Sequence, residues 1–126
     1  MSAGPSTEAL GTPSDPEDVK IITLARSALA RTSAAQGACV RDTDGRTYAA
    51  TSVALEHLAL SAVAVAVAMA VSSGAEGLEA VAVATDDDPD PYALDADRDV
   101  VRDLGGEGVA LWAVDPRGVV RGRVLT

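Results

Sequence analysis

The chain has 126 residues, of which 48% are hydrophobic, and a formal net charge of -9 at pH 7. This length predicts one domain with a modest core. The acidic balance, without any basic block, argues against duplex nucleic acid or an anionic membrane surface as partners. Arg117, Arg121 and Arg123 form a basic cluster, which we interpret as the solvated side of a terminal strand. The single cysteine, Cys39, excludes an intrachain disulfide and favours a reducing, cytoplasmic location.

The first stretch, MSAGPSTEALGTPSD, has neither the basic start nor the apolar core of a signal peptide. Its Ser, Gly and Pro content predicts a disordered tail over residues 1–14, followed by a single domain over residues 15–126. A helix is expected at the start of that domain. Either Ser14 and Glu17 form a capping box, or Asp15 caps the helix with the next proline at its first position.

A β-hairpin is predicted after this helix by the stretch GACVRDTDGRTYAATSVAL. Asp44 and Gly45 lie between two short runs that contain Val, Thr and Tyr, a composition typical of paired strands around a tight turn. We therefore expect strands near residues 37–41 and 46–53.

The stretch LALSAVAVAVAMAV, residues 58–71, is longer than a common strand. It is also too short to cross a membrane, and Ser61 interrupts it. Bulky side chains recur along it at steps of three and four: Leu60, Val63, Val67 and Val71. This spacing predicts a central helix from about residue 58 to residue 72, with Gly74 as its stop. Because the stretch is apolar on every side, we expect this helix to be buried all round.

The remaining segments complete an α/β pattern. LEAVAVAT is short and continuously apolar, as expected of a central strand that is covered on both faces. An acidic loop, TDDDPDPYALDAD, precedes a helix predicted in ADRDVVRDLGG, and the turn signal DPRG separates two Val-rich strands at the end. The order helix, two strands, helix, strand, helix, two strands predicts a three-layer α/β/α sandwich around a mixed five-stranded sheet.

With this order of elements, the chain resembles the zinc-dependent cytidine deaminases. GACVRDTDGRTYAATSV is similar to the first hairpin of that family, and the run from Leu60 to Gly74 is similar to its helix that begins Cys-Ala-Glu. The segment from Arg98 to Gly105 resembles the helix after the family's Pro-Cys-x-x-Cys motif. The resemblance implies a cytidine deaminase-like fold and a homo-oligomer, either a dimer or a tetramer.

The residues that carry the family's chemistry are missing from the matching positions. The first zinc ligand is replaced by Ser61, the catalytic glutamate by Val63, and the later cysteine pair by Leu94 and Asp97. Zinc held by three protein ligands lowers the pKa of its bound water to about 7, which supplies the hydroxide for deamination. A hydroxyl, two hydrocarbon groups and one carboxylate do not hold zinc, so we expect no cofactor and no catalysis. Ala54, where the family has Glu, weakens nucleoside binding as well.

Other reactive side chains are isolated in the sequence. His57 and Glu56 are expected at the start of the central helix, not in a metal site. Cys39 is expected to be a small buried apolar residue. The loop from Asp86 to Asp90, with Asp97, matches four positions of a calcium loop but lacks its Gly and Glu, so we interpret it as a solvated acidic loop.

Three functions are compatible with the sequence. The leading hypothesis is a non-catalytic cytidine deaminase-like protein that acts through self-association or through a cytoplasmic protein partner. One alternative is a nucleoside- or nucleotide-binding protein that keeps the pocket without the reaction. The other is a divergent cytidine deaminase, a hydrolase, if zinc is bound.

Overall fold

A computed structural model describes residues 13–86 and 91–126 of the chain. The helices are α1 (Pro16–Ala30), α2 (Ala62–Ser72) and α3 (Pro91–Gly105). The strands are β1 (Gln36–Asp42), β2 (Thr47–Thr51), β3 (Val53–Ala54), β4 (Ala59–Leu60), β5 (Leu78–Thr85), β6 (Ala110–Val114) and β7 (Val120–Leu125). The predicted order of helices and long strands is confirmed, and the short strands β3 and β4 are additional. Nearly all of the tail predicted over residues 1–14 lies outside the described residues.

The five long strands form one mixed sheet in the order β2-β1-β5-β6-β7. Strands β5 and β6 run parallel, and the other neighbouring pairs are antiparallel. Helix α1 packs on one face of this sheet, where its apolar side chains meet Cys39 and Trp112. Helices α2 and α3 pack on the other face, which presents Val40 and Val81. The predicted three-layer α/β/α sandwich is therefore confirmed.

Helix α1 begins at Pro16, with Asp15 as its N-cap. The Asp15 carboxylate accepts a hydrogen bond from the Glu17 amide at 2.8 Å, which confirms the second of the two predicted starts. The helix lies close on β1 because Gly37 has no side chain. A Cβ at this position would lie 2.7 Å from the Leu29 amide nitrogen, which is closer than unbonded atoms can approach.

The turns of the two long hairpins, β1–β2 and β6–β7, have the same local structure. In each, a buried aspartate, Asp42 or Asp115, accepts hydrogen bonds from the amides two and four residues further on. A glycine follows three residues after each aspartate, and Gly45 and Gly118 have φ angles of 85° and 91°. Such positive values suit glycine because it lacks a Cβ. The turn signals read from the sequence are thus confirmed at both places.

Helix α2 begins later than predicted. Strands β3 and β4 pair with each other, and the Leu55 amide donates to the Leu58 carbonyl at 2.8 Å to close the turn between them. The prediction of a helix from about residue 58 was wrong because alanine and leucine favour helices intrinsically, whereas tertiary pairing with β3 overrides that preference. The predicted strand over residues 46–53 is likewise divided between β2 and β3. Gly74, with a φ of 93°, follows the end of the helix as predicted.

The side of α2 that points away from the sheet is exposed, so the prediction of a helix buried all round was wrong. The buried residues of the helix lie on the sheet side: Ala62, Val63, Ala66, Val67 and Ala70. Met69 and Val71 are 40% and 54% exposed, and Leu60, just before the helix, is 38% exposed. Helix α2 packs on β1 and β2 and beside α3, and β2 is the edge of the sheet. No described element covers its outer side, and none of the described helices is long and apolar enough to cross a membrane.

Helix α3 also begins earlier than predicted, at Pro91. Leu94 and Asp97 therefore lie within a helix and not in the acidic loop. Residues 87–90, which include two of the four predicted calcium-loop positions, lie outside the described residues. Asp97, the last of those positions, accepts a hydrogen bond from Ser61 at the start of α2.

Candidate functional site

Ser61 stands at the N-terminus of α2, at the position predicted for the first zinc ligand. It is the N-cap of the helix, with φ -67° and ψ 158°, and its hydroxyl oxygen accepts a hydrogen bond from the Ala64 amide at 3.1 Å. A serine before an apolar run is a common N-cap signal. The predicted helix began near residue 58, so it placed Ser61 inside the helix and missed this cap. The same hydroxyl donates a hydrogen bond to the Asp97 carboxylate at 2.8 Å. Ser61 therefore connects α2 to α3.

Asp97 is the acceptor of this connection and is only 4% exposed. Burial raises the pKa of Asp97, and the hydrogen bond from Ser61 lowers it in part, so that the pKa stays above its ordinary value. The carboxylate lies beside the N-terminus of α2, the positive end of the helix dipole, which also favours a negative charge. The structure thus holds one carboxylate between two helices in an otherwise apolar layer.

The other two predicted site residues are part of the core. Val63 is fully buried and belongs to the layer between the sheet and α2. Leu94 is partly buried against the same layer, and its Cδ1 lies 3.6 Å from the position of a Cβ on Gly122 in β7. The structure therefore brings Ser61 and Asp97 together, whereas Val63 and Leu94 contribute hydrocarbon packing.

This set of side chains does not fit a zinc ion. Zinc is bound by thiolate, imidazole or carboxylate groups, usually three or four of them from the protein, and Asp97 is the one such group among the four positions. Ser61 is a neutral hydroxyl that is already engaged in two hydrogen bonds. Within residues 13–86 and 91–126, no three His, Cys, Asp or Glu side chains come close enough together to hold a metal ion.

Gln36, at the start of β1, also reaches the N-terminus of α2 and was not predicted. Its side-chain oxygen accepts a hydrogen bond from the Ala62 amide at 3.3 Å, which satisfies one of the free amides of the helix start. The backbone amide of Gln36 in turn donates a hydrogen bond to the Ser52 hydroxyl at 3.1 Å. No sequence pattern could have indicated these contacts, because they join residues that only the pairing of β1 with its neighbours brings together.

His57, Glu56 and Cys39 lie away from this site. His57 and Glu56 lie in the turn between β3 and β4, with side chains 90% and 88% exposed, so their expected place at the start of a helix was wrong. Cys39 lies in β1 and is fully buried, as predicted. Burial raises the pKa of its thiol to about 11, which leaves it un-ionised at neutral pH.

The three arginines of the C-terminal hairpin are exposed, as predicted, and each contacts another side chain. Arg121 and Arg117 donate to the Asp115 carboxylate at 2.9 and 3.4 Å. The Arg123 guanidinium lies over the Trp112 ring, 5.0 Å from its centroid, in a cation–π arrangement. The basic cluster therefore neutralises a turn aspartate and covers an aromatic ring.

Comparisons with known proteins bear on most of the chain. The model of the family "Cytidine deaminase-like" matches residues 14–118. No curated protein matches the chain. Among solved structures, cytidine deaminase from Burkholderia pseudomallei is 22% identical with a TM-score of 0.70, covering 84% of this chain and 90% of that one. Cytidine deaminase from Mycobacterium leprae is 19% identical with a TM-score of 0.62, at the same coverage of 84% and 90%. A mutant cytidine deaminase from Mycobacterium tuberculosis is 23% identical with a TM-score of 0.59, covering 73% of this chain and 81% of that one. At these identities the structural likeness shows the fold alone.

Proposed function

Because the chain belongs to the cytidine deaminase-like family, we propose that it is a non-catalytic member that acts in the cytoplasm by association, with itself or with a protein partner. The observation that carries the proposal is the 2.8 Å hydrogen bond between Ser61 and Asp97. Ser61 is the donor and Asp97 the acceptor, and both stand at positions where the resemblance to the family implies metal ligands.

The chemistry of the site supports the non-catalytic part of this proposal. Hydrolytic deamination needs an activated water and a group that moves protons, and a well-placed acid or base contributes roughly 10² to 10⁴ in rate. Val63 stands at the position of that group and is a fully buried hydrocarbon. Asp97, the one carboxylate among the four positions, is buried and accepts a hydrogen bond from Ser61. Neither residue offers a base to a substrate.

Exposed apolar surface supports the association part. Of the eight large hydrophobic side chains that are exposed in the described part of the chain, five lie between Leu55 and Val71. Exposed apolar side chains gathered on one helix and on the hairpin before it favour an interaction site. The free cysteine, buried in β1, agrees with a reducing cytoplasm.

Metal analysis and a deaminase assay on the full chain test the non-catalytic part. We expect substoichiometric zinc by mass spectrometry and no loss of cytidine absorbance above the blank. Asp97→Ala is the control, because activity from this site would disappear in the variant, whereas activity from a contaminating deaminase would persist. Stoichiometric zinc together with deamination that the variant abolishes would refute the proposal.

Calorimetry with cytidine and cytidine monophosphate distinguishes association from nucleoside binding. We expect no heat of binding at millimolar ligand, since Ser61 and Asp97 are already hydrogen-bonded to each other. A saturable heat would instead assign the site to ligand binding. A chain that stays monomeric and captures no specific protein would refute the association part.

A further inference from the structure

We propose that the outer edge of β7 binds an extended acidic segment of a protein partner, which adds to the sheet as an antiparallel strand. This inference rests on the proposed function, since it names the class of partner through which the chain would act. Strand β7 is the last in the sheet order β2-β1-β5-β6-β7 and pairs with β6. Among the described strands it has a neighbour on one side alone, so its other side is an open edge.

The open edge of β7 carries backbone groups that no described strand uses. In an antiparallel pair, the amides and carbonyls of successive residues point alternately toward the neighbouring strand and away from it. The Thr126 amide donates to the Val109 carbonyl at 3.0 Å, just before β6, so it points inward. By alternation Val124 also points inward, whereas the amides and carbonyls of Arg123 and Leu125 lie on the outer side. An added strand binds through main-chain hydrogen bonds to groups of this kind.

The side chain of Arg123 is available to a partner. It is exposed and lies over the Trp112 ring, and within the described residues it forms neither a hydrogen bond nor an ion pair. Two carboxylates line the same cleft, but both are engaged. Asp15 caps α1, and Asp18 lies 3.0 Å from the guanidinium of Arg41. The N–H donors of the Arg123 guanidinium thus remain for an acceptor from outside the chain.

The charge of the last hairpin selects an acidic partner. From residue 115 to residue 125 the charged side chains are one aspartate and three arginines, a local charge of +2 in a chain that carries -9. Charges beyond a Debye length of about 8 Å are largely screened at physiological ionic strength, so the arginines dominate at this edge. An acidic strand complements them, whereas a second β7 would place arginines against arginines. The arginines therefore protect the edge against pairing with itself.

The register of β7 specifies a pattern in the partner. Arg123 is opposite Trp112 and Leu125 is opposite Ala110, so both exposed side chains lie on the face of the sheet that α1 covers. Residues directly opposite each other on antiparallel strands share a face and interact. We therefore expect an apolar residue opposite Leu125, followed two positions later by a glutamate or aspartate opposite Arg123.

A synthetic peptide tests this edge on the full chain. The probe is acetyl-Thr-Val-Thr-Glu-Thr-Glu-amide, and the comparison peptide has lysine in place of both glutamates. Amide hydrogen exchange by NMR should show that the acidic peptide protects Arg123 and Leu125, which exchange rapidly in the free chain, whereas Val124 is protected throughout. The fluorescence of Trp112, the one tryptophan, reports the affinity. We expect weak binding, because so short an edge buries less than the ~1,000 Å² of a stable interface.

Arg123→Glu tests the role of charge. Because it replaces an attractive cross-strand pair by a repulsive one, it is expected to weaken binding of the acidic peptide about ten-fold and to favour the lysine peptide. Lys20→Glu is the matched control, since it makes the same change of charge at an exposed position of α1, and it is expected to leave the affinity unchanged. Circular dichroism verifies that both variants are folded.

N-methylation of the peptide tests the strand geometry without any change in the protein. The amides of the valine and of the first glutamate face β7 in the proposed register, so methyl groups on both should abolish binding. The threonines that follow these two residues present their amides to the opposite side, so methyl groups there should leave binding intact.

The outcomes separate this inference from the proposed function. No protection of the Arg123 and Leu125 amides at millimolar peptide, equal binding of both peptides, or equal effects of the two methylation patterns overturns the inference. Protection in the free chain that rises with its concentration also overturns it, because the edge would then bind a second copy. None of these results affects the zinc and deaminase measurements. Conversely, zinc and activity would refute the proposed function while the peptide site on β7 remained established.

Discussion

Replacing Ser61 by alanine is expected to destabilise the protein at neutral pH by about 2–4 kcal/mol. Loss of the N-cap costs about 1 kcal/mol, within a range of roughly 0.5–2. Loss of the hydrogen bond to the Asp97 carboxylate adds about 1.5–3 kcal/mol, because a buried charged acceptor is left without its donor. For a domain of this size the sum corresponds to a fall in melting temperature of roughly 10–15 °C.

The pH dependence of this loss separates the two contributions. In the folded state the pKa of Asp97 is raised by burial, so its ionised form is the less favourable one, and removal of Ser61 raises that pKa further. Stability that depends on Asp97 is therefore greatest at low pH and declines as the pH rises through the folded pKa. At pH values where the carboxyl is protonated, the variant should lose only about 1.5–2.5 kcal/mol, because the cap contributes about 1 kcal/mol and a hydrogen bond to a neutral acceptor contributes about 0.5–1.5.

Urea unfolding of both proteins at acidic and neutral pH measures these free energies, with Ser73→Ala as control. Ser73 is an exposed serine at the other end of α2, so its replacement is expected to change the free energy of unfolding little. Asp97→Asn keeps an acceptor for Ser61 and removes the buried charge, so it should be tolerated at neutral pH. A loss in Ser61→Ala that is below 0.5 kcal/mol, the lower limit for a cap, or that does not vary with pH would refute the structural role assigned to the Ser61–Asp97 hydrogen bond.

Three further results are expected. Asp115→Asn should lower the free energy of unfolding by about 2 kcal/mol at pH 7. Burial alone would raise the pKa of Asp115, but hydrogen bonds from turn amides and the nearby arginines outweigh burial and lower the pKa to about 2. That difference should disappear as the pH falls from about 5 to about 2. As a control, an equal replacement of Asp99, whose side chain is 75% exposed, should change the stability at pH 7 little. Gly37→Ala should destabilise the fold by about 1–3 kcal/mol, since its Cβ would meet the backbone of α1. Urea unfolding measures this loss, and Gly122→Ala, where the new Cβ makes an ordinary contact of 3.6 Å, should be nearly neutral in the same assay. Cys39 should react with a thiol reagent at pH 8 only at the rate of unfolding, and rapid labelling of the native protein would contradict its burial.

Local chemistry explains the parts of the fold that the sequence predicted. The turns around Gly45 and Gly118 depend on an aspartate and a glycine three residues apart, and both residues are visible in the sequence. Strand β5 is continuously apolar from Ala80 to Ala84, where both faces of the sheet are covered, and such a run is also visible in the sequence. The order of these signals was sufficient for the three-layer architecture.

Tertiary contacts explain the parts that the sequence did not predict. The start of α2 depends on whether Leu58 and its neighbours pair with β3, and its exposed side depends on the position of α2 at the β2 edge of the sheet. The site was predicted only in part for the same reason. Ser61 and Asp97 were singled out as separate replacements, but their hydrogen bond joins residues 36 positions apart on different helices.

Added salt should strengthen the proposed self-association of the chain. Two copies that each carry -9 repel one another, and a Debye length of about 8 Å at physiological ionic strength screens this repulsion incompletely. The run from Leu58 to Ala75 contributes no ion pair that salt could weaken. Sodium chloride therefore reduces the repulsion between copies, so the dissociation constant for self-association falls as ionic strength rises, opposite to a complex formed between an acidic and a basic protein.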